Sequence, residues 1–375
     1  MIYTLIEQIT LISSITYLGF GMILLIGLLK RKSDNSYTQN ISSEKSVSVI
    51  VAARNEEENL PLLIQDLAKQ SYENFEIIVA NDRSTDSTQK ILEEFSQKFN
   101  KLKFVNIEST PQGVSPKKNA LTQAIKKSNG EVLLFTDADC RIGDFWVEKM
   151  AENFNSEKTF VIGFSSLTHN PNSKSKLLQK LQILDFLVLM AAAKGANFIG
   201  LNWACTGQNL AYSKKLYEEV GGFEKIKNRI SGDDVLMLQL ARKVKGVEIK
   251  FAINPQTFST SFAMPDFSSF WNQRKRWASN SSFQITNNPL FFLYLLSVSL
   301  THLGIVFSFS LGLFQTFAFV FLAKFCFDFI FSFVSCQSFK KEGLLKYFPI
   351  WFLGQFPYII FVGWFGLLGK FKWKE

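Results

Sequence analysis

Traced as a pattern of apolar and polar positions, the chain is an alternating middle region between two strongly apolar ends. From about Ile9 to Leu29 it is uncharged and apolar for roughly 20 residues, enough to cross a bilayer as a helix. Lys30, Arg31 and Lys32 follow at once, and no small-residue cleavage site is evident. Residues 1–32 therefore read as an uncleaved anchor that leaves the following chain in the cytoplasm. Residues 33–46 form a polar, Ser/Asn-rich linker. Beyond it, short β-prone runs alternate with helix-period segments. Strands are expected at Val47 to Ala53, Phe75 to Ala80, Lys103 to Ile107 and in the stretch Glu131 to Asp139, and helices at Leu60 to Gln70, Gln89 to Phe99 and Asn119 to Lys127. Pro111 to Lys118 reads as a loop. Strand-helix alternation of this kind predicts an α/β, mostly parallel, Rossmann-like sheet with its polar loops on one edge.

After Asp139 the pattern is more mixed. Leu177 to Ala193 is apolar but carries Lys180, Gln182 and Asp185, which favours a buried or membrane-skimming helix over a span. Phe267 to Trp277 interleaves aromatics with Arg274, Lys275 and Arg276, as the headgroup layer accommodates. From Pro289 to Ala323 there is no Asp, Glu, Lys or Arg, and only Lys324 and Asp328 interrupt the apolar run before Val334. Two spans with a turn near Gly312 fit that length, and Lys324 and Asp328, four apart, share a helix face where they can pair. A further apolar stretch, Phe348 to Leu368, leads to the basic tail Lys370 to Glu375. As a full span it would put that tail outside, against its charge, so it is either re-entrant or interfacial, or an exception to the positive-inside rule. The expected layout is an anchor (1–32), linker (33–46), α/β domain (47–263), interfacial helix region (264–288), transmembrane hairpin (289–335), cytoplasmic loop (336–347) and a last transmembrane or re-entrant segment with its tail (348–375).

Composition narrows the function. Lys and Arg outnumber Asp and Glu by 41 to 32, which suits anionic partners such as nucleotide phosphates or lipid headgroups. No basic run or recognition motif points to nucleic acid. The four cysteines, Cys140, Cys205, Cys326 and Cys336, lack C-x-x-C spacing, and there are only two histidines, His169 and His302. Neither a zinc site, nor a disulfide framework, nor a Ser-His-Asp triad is indicated.

The strand Glu131 to Phe135 runs into Thr136-Asp137-Ala138-Asp139, placing two carboxylates at the edge where open α/β sheets bind ligands. Hard oxygen ligands there suit Mg²⁺ or Mn²⁺ carrying a diphosphate better than zinc. Further clusters are Ala52-Ala53-Arg54-Asn55-Glu56, Asn81-Asp82-Arg83-Ser84-Thr85-Asp86, Lys117 ahead of Ala120-Leu121, Thr206-Gly207-Gln208-Asn209, Gly221-Gly222-Phe223, Gly232-Asp233-Asp234 and Gln273-Arg274-Lys275-Arg276-Trp277. Taken singly, Glu56, Asp82 and Asp234 have the ordinary role of capping helices, and the Arg/Trp run that of an interfacial anchor.

As an ordered set over about residues 47 to 280, these clusters resemble the membrane-bound family 2 glycosyltransferases. The last one fits that family's Q-x-x-R-W. The resemblance implies a GT-A fold between an N-terminal transmembrane anchor and C-terminal transmembrane helices. It further implies an inverting, metal-dependent transfer from a UDP-sugar donor. Ala52 and Ala53 are small enough for a base to lie against the strand edge, and Glu56 and Asp82 can accept hydrogen bonds from uracil or ribose. Arg54 belongs to the same donor-binding set. Lys117 would steady a carboxylate or the nucleotide, Asp137 would face the nucleotide, and Asp139 would hold Mg²⁺ or Mn²⁺. Asp234 matches the catalytic base, with Asp233 where relatives often carry Glu. Gln273, Arg276 and Trp277 complete the donor and acceptor contacts, Arg276 by bidentate binding of the diphosphate and Trp277 by stacking. The expected acceptor is a membrane lipid or lipid-linked glycan, reached by an integral membrane protein whose catalytic domain faces the cytoplasm of a bacterial inner membrane. The alternative is a processive synthase that extrudes a polysaccharide, for which so few, nearly uncharged spans offer little polar tunnel.

Overall fold

The structure, a computed structural model, describes residues 2–30 and 45–368. In chain order the elements are α1 (Ile2–Leu29), β1 (Val47–Ala53), α2 (Leu60–Ala68), β2 (Phe75–Asn81), α3 (Thr88–Lys98), β3 (Leu102–Asn106), α4 (Pro116–Lys127), β4 (Val132–Phe135), β5 (Arg141–Ile142), α5 (Trp146–Ala151), β6 (Thr159–Gly163), β7 (Ser165–Thr168) and α6 (Lys176–Phe198). They continue with β8 (Leu210–Ser213), α7 (Lys214–Val220), α8 (Val235–Ala241), β9 (Glu248–Ala252), β10 (Ser259–Phe262), α9 (Phe267–Ala278), α10 (Ser281–Asn287), α11 (Pro289–Ser310), α12 (Phe314–Ser338) and α13 (Phe348–Leu368). Two compact units result, one from residues 45–168 and 202–262, the other from 2–30, 169–201 and 263–368. The α/β domain expected over 47–263 thus excludes 169–201, which belongs to the helical unit. Arg31, Lys32, the 33–44 part of the linker and the tail from Lys370 lie outside the described residues.

The α/β unit holds a seven-stranded sheet in the order β3-β2-β1-β4-β8-β6-β9 and a three-stranded sheet β5-β10-β7. β1 is parallel to β2 and β4, whereas β8 is antiparallel to both β4 and β6. Because successive side chains of a strand point to opposite faces, β1 splits its residues in two. Val47, Val49, Val51 and Ala53 join Leu60, Leu63 and Leu67 of α2 and Trp146, Val147 and Met150 of α5 in one core. Ile50 and Ala52 face the other side, with Leu121 of α4. Register then sets the site: Ile50 pairs with Phe135, the last residue of β4, so Thr136 to Asp139 leave the ladder while β1 continues to Ala53 beside Asn81.

The helical unit contains five helical stretches long and apolar enough to cross a membrane: Ile2–Leu29, Lys176–Phe198, Pro289–Ser310, Phe314–Ser338 and Glu342–Gly363. Gly312 sits at φ 73° between α11 and α12, a left-handed turn that closes the hairpin without Cβ strain. α6 packs against α1, α12 and α13. Gly195 of α6 packs so closely on α1 that a Cβ there would lie 2.3 Å from the Leu24 carbonyl oxygen. Lys194 lies over Phe339, just past α12, and Asp185 accepts from Trp351 Nε1 in the first turn of α13. Within the bundle, Lys324 and Asp328 do pair. Tyr17 of α1 donates to Asp328 at 2.5 Å and Lys324 donates to Gln355 of α13 at 3.3 Å, so one buried polar cluster ties three apolar helices. α13 runs unbroken through Pro357.

Candidate active site

α4 begins earlier than its periodicity suggests. Ser115 is extended, Pro116 occupies the first helical turn, and a proline there surrenders only an N–H that has no helical partner. Lys117 and Lys118, expected in a loop, are thereby fixed in that first turn. The Lys117 ammonium stands 2.9 Å from Asp137 Oδ1 and 3.0 Å from Asp233 Oδ2, joining the acid beyond β4 to the acid before α8. Lys118 is buried and donates to the Arg229 and Ser231 carbonyls at 2.5 and 2.9 Å, pinning the backbone just ahead of Gly232-Asp233-Asp234.

Asp234 occupies the N-cap of α8. Its Oδ1 accepts from the Val235 N–H at 2.6 Å and its Oδ2 from the Gly207 N–H at 2.9 Å. A Cβ at Gly207 would lie 3.3 Å from Asp233 Oδ2, so the T-G-Q-N turn approaches both acids as only glycine comfortably does. Burial and the neighbouring Asp233 charge push the Asp234 carboxyl up to about 6. Burial also opposes the charge of Asp233, but Lys117 overrides it and holds that carboxyl below its usual range. Lys117 is held charged in spite of burial by Asp137 and Asp233. Two adjacent carboxyls pushed in opposite directions mark one as an ion-pair partner and the other as a candidate general base. A cleft opens here, lined by Ala52, Lys117, Asp137, Gly207 and Asp233.

The other residues singled out by sequence fall into place unevenly. Ala52 lines the cleft, whereas Ala53 is fully buried in the opposite core, behind the strand. Glu56 and Asp82 sit in the loops after β1 and β2, which interlock: Asn55 N donates to Ser84 Oγ and Thr85 N to Asn55 Oδ1. Asp82 is wholly buried and held by Arg83 Nε at 2.9 Å, and Glu56 Oε2 accepts from Asn59. Arg54 buries an Nε–H without an acceptor among the described residues. Asp139, half-buried, follows Asp137 past the strand end. Among the described residues no three His, Cys, Asp or Glu side chains gather as a metal cage.

Gln273, Arg276 and Trp277 lie on α9, in the helical unit. The motif's most buried member is Arg274, which pattern reading passed over: it is 1% exposed, ion-pairs with Asp185 at 2.8 Å and stacks 4.2 Å from the Trp277 ring centroid. A lone acid in apolar α6 was the available signal for such a partner. Gln208 and Asn209 serve the scaffold. Gln208 donates to Ser261 Oγ at 2.7 Å, and Asn209 donates to the Phe164 and Thr257 carbonyls at 2.8 and 2.7 Å.

An open, mostly parallel sheet whose strand ends and helix starts bring acids together around one lysine has the GT-A-like fold of known glycosyltransferases, in a chain with helices long and apolar enough to cross a membrane. The chain belongs to glycosyl transferase family 21, whose model matches residues 11–368. It is 27% identical over 237 residues to a poly-beta-1,6-N-acetyl-D-glucosamine synthase of Staphylococcus epidermidis, covering 62% of this chain and 54% of that one. To a beta-monoglucosyldiacylglycerol synthase of Nostoc sp. it is 25% identical over 236 residues, covering 62% and 48%. The chain thus spans about half the length of the curated relatives it matches. The fold is also that of the mannosyltransferase PcManGT from Pyrobaculum calidifontis, solved with GDP-Man and Mn2+. That likeness has a TM-score of 0.57 at 17% identity and covers 92% of this chain and 98% of that one.

Proposed function

We propose that this protein is an inverting, metal-dependent enzyme that moves one sugar from a UDP-sugar to a membrane lipid or lipid-linked acceptor at the cytoplasmic face. The observation that carries this is the bridge from Asp137 through Lys117 to Asp233, with Asp234 fixed alongside by the Gly207 N–H. Asp234, poised near 6, takes the proton of the acceptor hydroxyl as its oxygen bonds to the anomeric carbon. The bond from that carbon to the diphosphate breaks on the opposite side, UDP departs, and configuration inverts. Mg²⁺ or Mn²⁺ held by Asp139 would neutralise charge on the leaving diphosphate. Lys117 holds Asp137 and Asp233 in place through its two ion pairs and keeps Asp233 ionised. Arg54, Glu56 and Asp82 form the donor side with Ala52, while Ala53 supports that edge from the core. Gln273, Arg276 and Trp277 keep the donor- and acceptor-binding roles that their motif implies.

Support for a lipid acceptor comes from the apolar helical unit and from the likeness to a glucosyldiacylglycerol synthase. The likeness to a poly-N-acetylglucosamine synthase supports a second reading, processive polymerisation. Full-length protein in bilayer discs, screened with UDP-sugars for metal-dependent UDP release and followed by mass analysis of the product, separates the two. A single added sugar per lipid is expected. Long polymer would establish the second reading, and no UDP release with any donor or metal would sink both.

A further inference from the structure

In the helical unit, the first turns of α6 and the connection from α12 to α13 border an open surface hollow lined by Lys180, Lys341, Gly343, Leu344, Lys346 and Tyr347. Three lysines from two stretches of chain far apart in sequence line this one hollow. Among the described residues none of the three forms an ion pair, and Glu342, the one acid of the connection, reaches none of them. Gly343 leaves open space at its Cβ position, and the Tyr347 hydroxyl adds a neutral donor.

The surroundings distinguish a lipid from a free anion. Ile350 and Leu353 follow Tyr347 at three-residue spacing and so lie along one face of the helix that continues into α13. They are 50% and 59% exposed, in a stretch apolar and long enough to cross a membrane. A cationic hollow that opens onto an apolar stripe matches an amphiphile with a phosphate head. We propose that this hollow binds the phosphate of an anionic membrane lipid, with an acyl chain along Ile350 and Leu353. Lys180 shares α6 with Asp185, the partner of Arg274, so a bound headgroup braces the helix that holds that arginine.

The assignment is independent of which sugar is transferred. Full-length protein is placed in phosphatidylcholine discs containing a small fraction of a photoactivatable phosphatidic acid, and labelled peptides are mapped by mass spectrometry. Label is expected on residues 176–184 and 341–353. At about fivefold per ammonium near an anionic headgroup, the triple variant K180Q/K341Q/K346Q should lose on the order of a hundredfold. The triple arginine variant should retain the label, which separates loss of charge from loss of fold. Equal labelling of the glutamine triple, equal labelling by a phosphatidylcholine analogue, or loss in the arginine variant as well would overturn the proposal. Displacement of the label by millimolar inorganic phosphate would assign the hollow to a free anion instead and equally overturn it.

Discussion

Lys117→Met removes the one cation shared by Asp137 and Asp233, and its effect on Asp234 can be worked from the structure. An atom at the Gly207 Cβ position would lie 3.5 Å from Lys117 Nζ and 3.7 Å from Asp234 Oδ2, so ammonium and carboxylate are within about 7 Å. At an effective dielectric near 20, a unit charge at that distance is worth roughly 2.4 kcal/mol. Both groups are partly solvated, and halving the figure for screening leaves about 1.2 kcal/mol, or roughly one pH unit. Lys117 favours the ionised form, so its loss raises the carboxyl further above its present value of about 6. Transfer needs the ionised base, and kcat/KM for metal-dependent transfer should therefore rise with pH through about 6 in the wild type. In the variant the same limb should lie roughly one unit higher. Position of the limb, not its height, is the readout, because donor affinity and stability also fall when the ion pairs are cut. A limb that stays near 6 or moves downward would show that Lys117 does not act on the base, and that Asp234 is not the titrating group.

Asp234→Asn should retain donor binding and abolish transfer, and wild-type rates would remove Asp234 from the mechanism. The same variant carries a stability signature. An unfolded Asp titrates near 3.9, so the raised folded value leaves stability intact below that pH and erodes it as pH rises through 6. The asparagine variant, halving the shift for solvent exposure, should gain roughly 1–1.5 kcal/mol at pH 8 and nothing at pH 4; an equal Tm difference at both would refute the assignment. Asp139→Ala should weaken UDP binding in the presence of Mg²⁺ or Mn²⁺ but not in their absence, read by calorimetry; unchanged metal dependence would move the cation elsewhere. Lys324→Met should destabilise the helical unit by about 3–5 kcal/mol by stranding Asp328, and adding Asp328→Leu should restore much of it. Thermal unfolding in detergent measures both, and a fully stable single variant would show that the buried pair contributes nothing.

Much of this molecule was legible from local pattern. Strand and helix periods, the runs of uncharged residues and the order of the polar clusters are properties of neighbouring positions, and they suffice for an α/β core between apolar ends. They also suffice to bring Asp137 to a strand end and Asp234 to a helix start. Contacts between distant segments were not legible. That Ala52 faces the cleft while Ala53 faces the core depends on which side of β1 α4 packs. That 169–201 joins the helical unit depends on close glycine contacts between α1 and α6. Which of two neighbouring lysines meets the acids depends on α4 beginning at Pro116. Sequence by itself therefore determined the residue types and the elements that carry them. Tertiary structure alone decided the pairings, because Lys117 can hold Asp137 and Asp233 together only once three separate chain segments have been packed against one another.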